Sequence, residues 1–219
     1  YEIAGGFLGE PLELVKAETV DLEVPARAEI IIEGVIESPG EMITDGPFPE
    51  VGGYYGRGEK PAYLIRVTAI TMRHDAIYHD LDPSSREHSM TGGGRRETDV
   101  FNAVKAVVPT VKAVRFEGAS MLFVSIEKRA EGEGKWAALA AMTSHYNAAF
   151  IVVVDDDVDV EDDDRLWWAI GSRVIPDQDI DMIARTTGLH LSPVAYNEAR
   201  EPIVEGGPMQ TRVIIDATR

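Results

Sequence analysis

The apolar positions of the chain change their period once along its length. Up to about residue 82 they fall in short runs that suit strands. Ala28–Glu37 (AEIIIEGVIE) is β-branched and flanked by turn residues, and Ala62–Arg73 (AYLIRVTAITMR) alternates with period two, so each predicts a strand. Between them lies a loop rich in glycine and proline, MITDGPFPEVGGYYGRG (Met42–Gly58), long enough to carry function. Asp80–Glu97 (DLDPSSREHSMTGGGRRE) breaks the pattern and predicts a linker over 83–97. From Thr98 the period lengthens. Thr98 caps a run with apolar residues at Val100, Phe101, Val104, Val107 and Val108, which predicts a helix near 98–108. Two strands around a Glu117–Gly118 turn follow, then a helix near 135–147 and a buried strand at Phe150–Asp155. A capped helix near 163–173 and a last strand, Thr211–Thr218, complete the pattern. Strand, helix, strand, helix predicts an α/β layer with a parallel crossover between the strands near 123 and 152. The expected division is therefore a β-rich part over 1–82 and an α/β part over 98–219.

Composition narrows the class. A chain of 219 residues, 44% hydrophobic and 27% charged, can bury a substantial core and reads as globular and soluble. No apolar run approaches the roughly eighteen residues of a membrane helix, and no signal peptide opens the sequence. A formal charge of -17 with no basic stripe argues against nucleic acid, because a phosphate backbone is repelled. The absence of cysteine removes disulfide and thiolate chemistry and suits a cytoplasmic protein. The sequence starts at Tyr1 in mid-pattern, so a fragment or processed piece of something longer is expected.

Several motifs invite chemistry and most fail on spacing. The acidic run Asp155–Asp164 is no EF-hand loop: its sixth position is Val160 where glycine is needed, and its twelfth is Leu166 where glutamate is needed. A strand end followed by a helix with an acidic first turn explains it better, since acids suit a helix N-terminus. Thr91–Arg96 (TGGGRR) lacks the spacing of a phosphate loop and reads as a hinge. His74, His79, His88, His145 and His190 have no metal-ligand spacing, so no metal site is expected within the chain. Trp167 and Trp168, with Ile170, are expected to pack a helix onto the sheet.

The Gly-Pro-Phe-Pro segment between Asp45 and Glu50 is the remaining signal. Proline fixes φ and extends the residue before it, so a stiff link holds two carboxylates at a set separation, as acid–base chemistry requires. An ordinary solvated turn has the same composition. The adjoining Gly52–Gly58 (GGYYGRG) favours an aromatic ligand against backbone.

Five segments in order resemble the UbiD family of decarboxylases: VPARAEIIIEG, DGPFPEVGGYY, AITMRHDAIYHD, FIVVVDDDVDVEDDDRLWWAIGSRVIPDQD and IIDAT. The resemblance implies reversible (de)carboxylation of an aromatic or α,β-unsaturated acid with prenylated FMN, Mn2+ and K+ as cofactors. It also implies a flavin-binding split barrel joined to an α/β oligomerisation domain, a homodimer or larger homo-oligomer, and a flavin prenyltransferase that supplies the cofactor. The family's acid loop reads Glu-Gly-Pro-Phe-Gly-Glu. Glu50 falls on the second acid, the proton donor, and Asp45 on the first, its hydrogen-bonding partner. Two departures stand out: Asp45 is one methylene short, and Pro49 replaces glycine and removes an N–H. As a donor Glu50 needs a pKa raised by burial.

The same resemblance places the family's catalytic arginine and its metal and phosphate ligands upstream of Tyr1, with Glu2 two positions out of register for the metal. The chain is thus expected to hold the proton donor without the cofactor cradle, and to be inactive without its upstream half. Substrate-pocket positions fall at Thr91, Tyr146, Ala149, Leu189 and Leu191. The rival reading is a non-catalytic oligomerisation or scaffold module whose partner holds the cofactor.

Overall fold

The computed structural model describes residues 1–37, 40–50, 52–55, 59–83, 85, 87–88, 91, 93–118, 120–145, 148–189, 192–195 and 207–219. The fold is mixed α/β and divides into two compact units, Tyr1–Gly46 with Glu59–Asp80, and Pro47–Gly58 with Leu81–Arg219.

The first unit opens with a short helix, α1 (Glu2–Leu8), in a part expected to be mainly β. Its remaining elements are all strands: β1 (Leu14–Lys16), β2 (Glu23–Pro25), β3 (Ile30–Val35), β4 (Met42–Asp45), β5 (Lys60–Tyr63) and β6 (Arg66–Met72). They pair in twos, β1 with β2, β3 with β6 and β4 with β5, and no barrel closes among the described residues. The single strand read over Ala62–Arg73 is in fact two. Leu64 donates its N–H to the Glu41 carbonyl, and the chain leaves one sheet for another before β6 begins. Alternation survives such a break, so periodicity alone joins the two strands. Buried Glu33 fastens β3 to the β1–β2 loop by accepting the N–H groups of Glu18 and Thr19 and the Thr19 hydroxyl. The Glu18 N–H bond, then the Thr19 hydroxyl, hold this carboxyl below its ordinary pKa.

The second unit is built on a five-stranded sheet. Its strands are β7 (Val111–Glu117), β8 (Met121–Ile126), β9 (Phe150–Asp155), β10 (Ile180–Thr187) and β11 (Met209–Ala217), in the order β10-β11-β9-β8-β7. β8, β9 and β11 are parallel, with an antiparallel strand at each edge. The crossover read between residues 123 and 152 is therefore present. Strands buried on both faces read as unbroken apolar runs, and Ile151, Val152, Val153 and Val154 are all fully buried.

Helices cover both faces. On one lie α2 (Gly93–Val107) and α3 (Glu133–Ser144), which pack Val100, Val104, Ala137, Ala138 and Ala141 against Leu122, Val124, Ile151 and Ile214. On the other, α4 (Asp163–Arg173) packs Leu166 and Ala169 against Phe123, Val152 and Val154. A one-turn helix, α5 (Pro176–Asp179), leads into β10.

Three details correct the sequence reading. α2 starts at Gly93, inside the expected linker, so Thr98 is interior and not a cap. The Glu97 carboxylate accepts the Phe116 N–H, and such tertiary anchoring outweighs the helix cost of glycine. Val107 is exposed, while Val100, Val104 and Val108 carry the buried stripe at four-residue spacing. Trp167 is 65% and Trp168 41% exposed, so neither is the core face of α4. Residues 100° apart on a helix cannot all face inward, and Leu166, Ala169 and Ile170 take that face. The Trp168 ring instead lies under the guanidinium groups of Arg165 and Arg173, at 4.5 and 4.9 Å.

The acidic run behaves as a strand end and helix start. Asp162 caps α4 by accepting the Arg165 N–H at 3.0 Å, and Asp157 holds Arg173 through two hydrogen bonds of 2.9 and 2.6 Å. Those bonds lower the Asp157 pKa from the ordinary carboxylate value.

Gly134 in α3 faces Asp216 of β11, and a β-carbon there falls within 2.4–2.5 Å of the Asp216 carboxylate. That carboxylate is itself held by the Thr218 N–H and hydroxyl. Gly134→Ala is therefore expected to destabilise the fold by about 1–3 kcal/mol, against the gain alanine brings to an open helix position. A urea midpoint equal to or above wild type overturns this close-approach account.

Candidate active site

Asp45 closes β4, opposite Lys60 in the β4–β5 register, and is half-buried. The next residue, Gly46, has φ 89°, a left-handed conformation that turns the chain out of the strand. Glu50 opens a tight turn in the second unit. Its N–H donates to the Tyr54 carbonyl at 2.8 Å, its carbonyl accepts from Gly53 at 3.0 Å, and Pro49 bridges to Tyr55. Glu50 is half-buried.

Tyr54 belongs to this turn more closely than sequence alone suggests. A β-carbon on Gly52 falls 2.3 Å from the Tyr54 ring, so only glycine lets the phenol fold back over the turn. Burial raises the Tyr54 pKa, and the negative charge of Glu50 raises it further. The phenol therefore stays protonated, a neutral donor near the Glu50 carboxyl. The sequence signal for it is the Gly-Gly-Tyr order itself.

The expected pocket residues fall in the second unit. Thr91 is exposed and donates its hydroxyl to the His88 carbonyl at 2.7 Å. Ala149 and Leu189 are buried, Ala149 at the entry to β9 and Leu189 just after β10. Tyr146 and Leu191 lie outside the described residues. His145 ends α3 against the edge of the Phe116 ring at 5.2 Å. Burial lowers its pKa, and the positive charges of Arg96 and Arg212 add to this.

No group of three His, Cys, Asp or Glu able to hold a metal exists among the described residues. Described cavities in the first unit lie beside α1 and beneath β1, β2 and β3, lined by residues such as Tyr1, Leu12, Val24 and Ile31. Neither is lined by Asp45 or by a pocket residue. No helix among the described residues is long and apolar enough to cross a membrane.

The family model of the 3-octaprenyl-4-hydroxybenzoate carboxy-lyase Rift-related domain matches residues 1–85, and that of the carboxy-lyase C-terminal domain matches residues 88–217. The chain belongs to the UbiD family. Among UbiD relatives, the anhydromevalonate phosphate decarboxylase of Methanothermobacter thermautotrophicus is 37% identical over 99% of this chain and 49% of its own length.

Solved UbiD-class structures agree. HmfF from Pelotomaculum thermopropionicum, in complex with FMN, matches with a TM-score of 0.88 and 39% identity over 99% of this chain and 47% of its own. An evolved dimeric form of the same enzyme, in complex with prFMN, matches with a TM-score of 0.82 and 38% identity over 99% of this chain and 46% of its own. The apo 3,4-dihydroxybenzoic acid decarboxylase of Klebsiella pneumoniae matches at 0.87 and 31% over 99% of this chain and 47% of its own. The chain spans about half the length of the relatives it matches.

Proposed function

We propose that this chain is the proton-delivering part of a UbiD-type decarboxylase that converts an aromatic or α,β-unsaturated carboxylic acid to CO2 and the protonated product. The observation that carries the reading is the Glu50 turn. Half-buried Glu50 opens a turn held by its backbone bonds to Gly53 and Tyr54, in a chain whose residues 1–85 and 88–217 match the family models. The reaction replaces the substrate's C–CO2⁻ bond by C–H: one proton is taken up and CO2 leaves. A positioned general acid must supply that proton, and Glu50 has that role here, with Asp45 as the second acid of the motif.

Prenylated FMN, when bound, supplies the electron sink for the broken bond. Its support is indirect, from relatives solved with FMN or prFMN. Mn2+ and K+ are the metal ions of this reading. Residues 1–82 then contribute to the flavin-binding domain and 98–219 to the oligomerisation domain. The named substrates of relatives include both a phosphorylated unsaturated acid and a dihydroxybenzoic acid, so both classes are candidates. In this reading the enzyme works in the cytoplasm, with its flavin made by a prenyltransferase.

Exposed Trp136, Trp167 and Met182 on the second unit support a homo-oligomer. They equally suit the rival, a scaffold whose partner does the chemistry. The assembled protein, loaded with prenylated FMN and Mn2+, is expected to keep its flavin absorbance through gel filtration and to release CO2 from acids of these classes. Flavin-loaded protein that releases none refutes the reading.

A further inference from the structure

Arg212 on β11 is 4% exposed, and its guanidinium donates to backbone carbonyls of two separate segments. Nη1 donates to the Met142 carbonyl at 2.7 Å and the His145 carbonyl at 3.3 Å, and Nη2 donates to the Thr187 carbonyl at 3.1 Å. The first two carbonyls sit at the C-terminal end of α3, where the helix dipole is negative and favours a cation. The third ends β10. Its two terminal nitrogens thus tie two separate segments, the end of α3 and the end of β10, to β11.

Those segments lead to Ala149 and Leu189, buried residues that the family resemblance places in the substrate pocket. Ala149 follows His145 by four residues, and its carbonyl accepts the N–H of Val213, the residue after Arg212. Leu189 follows Thr187 by two, behind Gly188, whose N–H donates to Pro208. One planar, rigid fork thus reaches both sides, which a lysine ammonium cannot reproduce.

We infer that Arg212 is a positioning residue that sets the spacing of the Ala149 and Leu189 walls and so the width of acid the enzyme accepts. The inference rests on the pocket assignment made above. Its test compares wild type with Arg212→Lys and Arg212→Met in the flavin-loaded enzyme. Binding of a series of aromatic and α,β-unsaturated acids of increasing width is measured by calorimetry, beside CO2 release and hydrogen exchange at 148–149 and 187–189.

In both variants the narrowest acids are expected to bind at least about tenfold more weakly. The order of preference should shift toward wider acids, with faster exchange confined to the two segments and flavin content unchanged. Should Arg212→Met fail to fold, Arg212→Lys decides, because it keeps the charge and loses the fork. Faster exchange with affinities and preference order unchanged overturns the inference and leaves Arg212 a structural residue. Wild type that binds no acid of the series overturns it too. Wild type that binds these acids without releasing CO2 overturns the decarboxylase reading alone, and the affinity order still decides Arg212.

Discussion

Glu50→Gln in the assembled, flavin-loaded enzyme is expected to lower turnover by roughly 10²–10⁴-fold, the range lost with a positioned general acid. The amide is isosteric with the acid, and the Glu50 N–H and carbonyl hold the turn through Tyr54 and Gly53. Folding should therefore be unchanged within about 0.5 kcal/mol. Asp45→Asn should cost less activity, since the reading gives the transferred proton to Glu50. The contrast with a plain solvated turn is sharp: that alternative leaves both variants fully active. CO2 release under single-turnover conditions, with H/D exchange at the product carbon, reads the proton step directly. Full activity in Glu50→Gln removes Glu50 from the mechanism.

Leu166→Ala is expected to destabilise the protein by about 2–5 kcal/mol, while Trp167→Ser leaves stability of the monomer within about 0.5 kcal/mol. The two residues are adjacent in α4, yet Leu166 is 1% exposed and Trp167 65%. Leu166 fills the space between Val152, Val154 and Ala217, and truncation leaves a cavity that the sheet cannot close. Trp167 points away from that core, so its loss touches packing only where another molecule covers it. Urea midpoints measured at low protein concentration give the order. Light scattering at micromolar concentration then shows whether Trp167→Ser shifts the oligomer toward smaller species. A larger stability loss for Trp167→Ser than for Leu166→Ala refutes the assigned face.

The α/β character of the second unit was legible because its signals are local. The Phe150–Asp155 run is apolar enough to be buried on both faces, and Val100, Val104 and Val108 repeat at helical spacing. Asp162 before an acidic first turn marks the start of α4, and the observed cap is that residue. The turn after Asp45 was legible too, because proline fixes φ at Pro47 and glycine readily adopts the left-handed conformation seen at Gly46.

Which face a residue presents, and which strand it joins, depends on partners distant in sequence. β5 and β6 read as one alternating run, and only the pairing of each with a different strand separates them. Trp167 and Trp168 are large and apolar, but the helix can turn only one stripe inward, and smaller Ala169 fits beneath it. α2 extends back through a glycine-rich stretch because Glu97 is anchored to Phe116 across the fold. Arg212 carries no local mark at all. Its contacts arise only where the end of α3 and the end of β10, far apart along the chain, bring the Met142, His145 and Thr187 carbonyls to one guanidinium. Periodicity and turn chemistry are properties of neighbouring residues, whereas burial, pairing and the satisfaction of a buried charge are properties of contacts that exist only once the chain has folded.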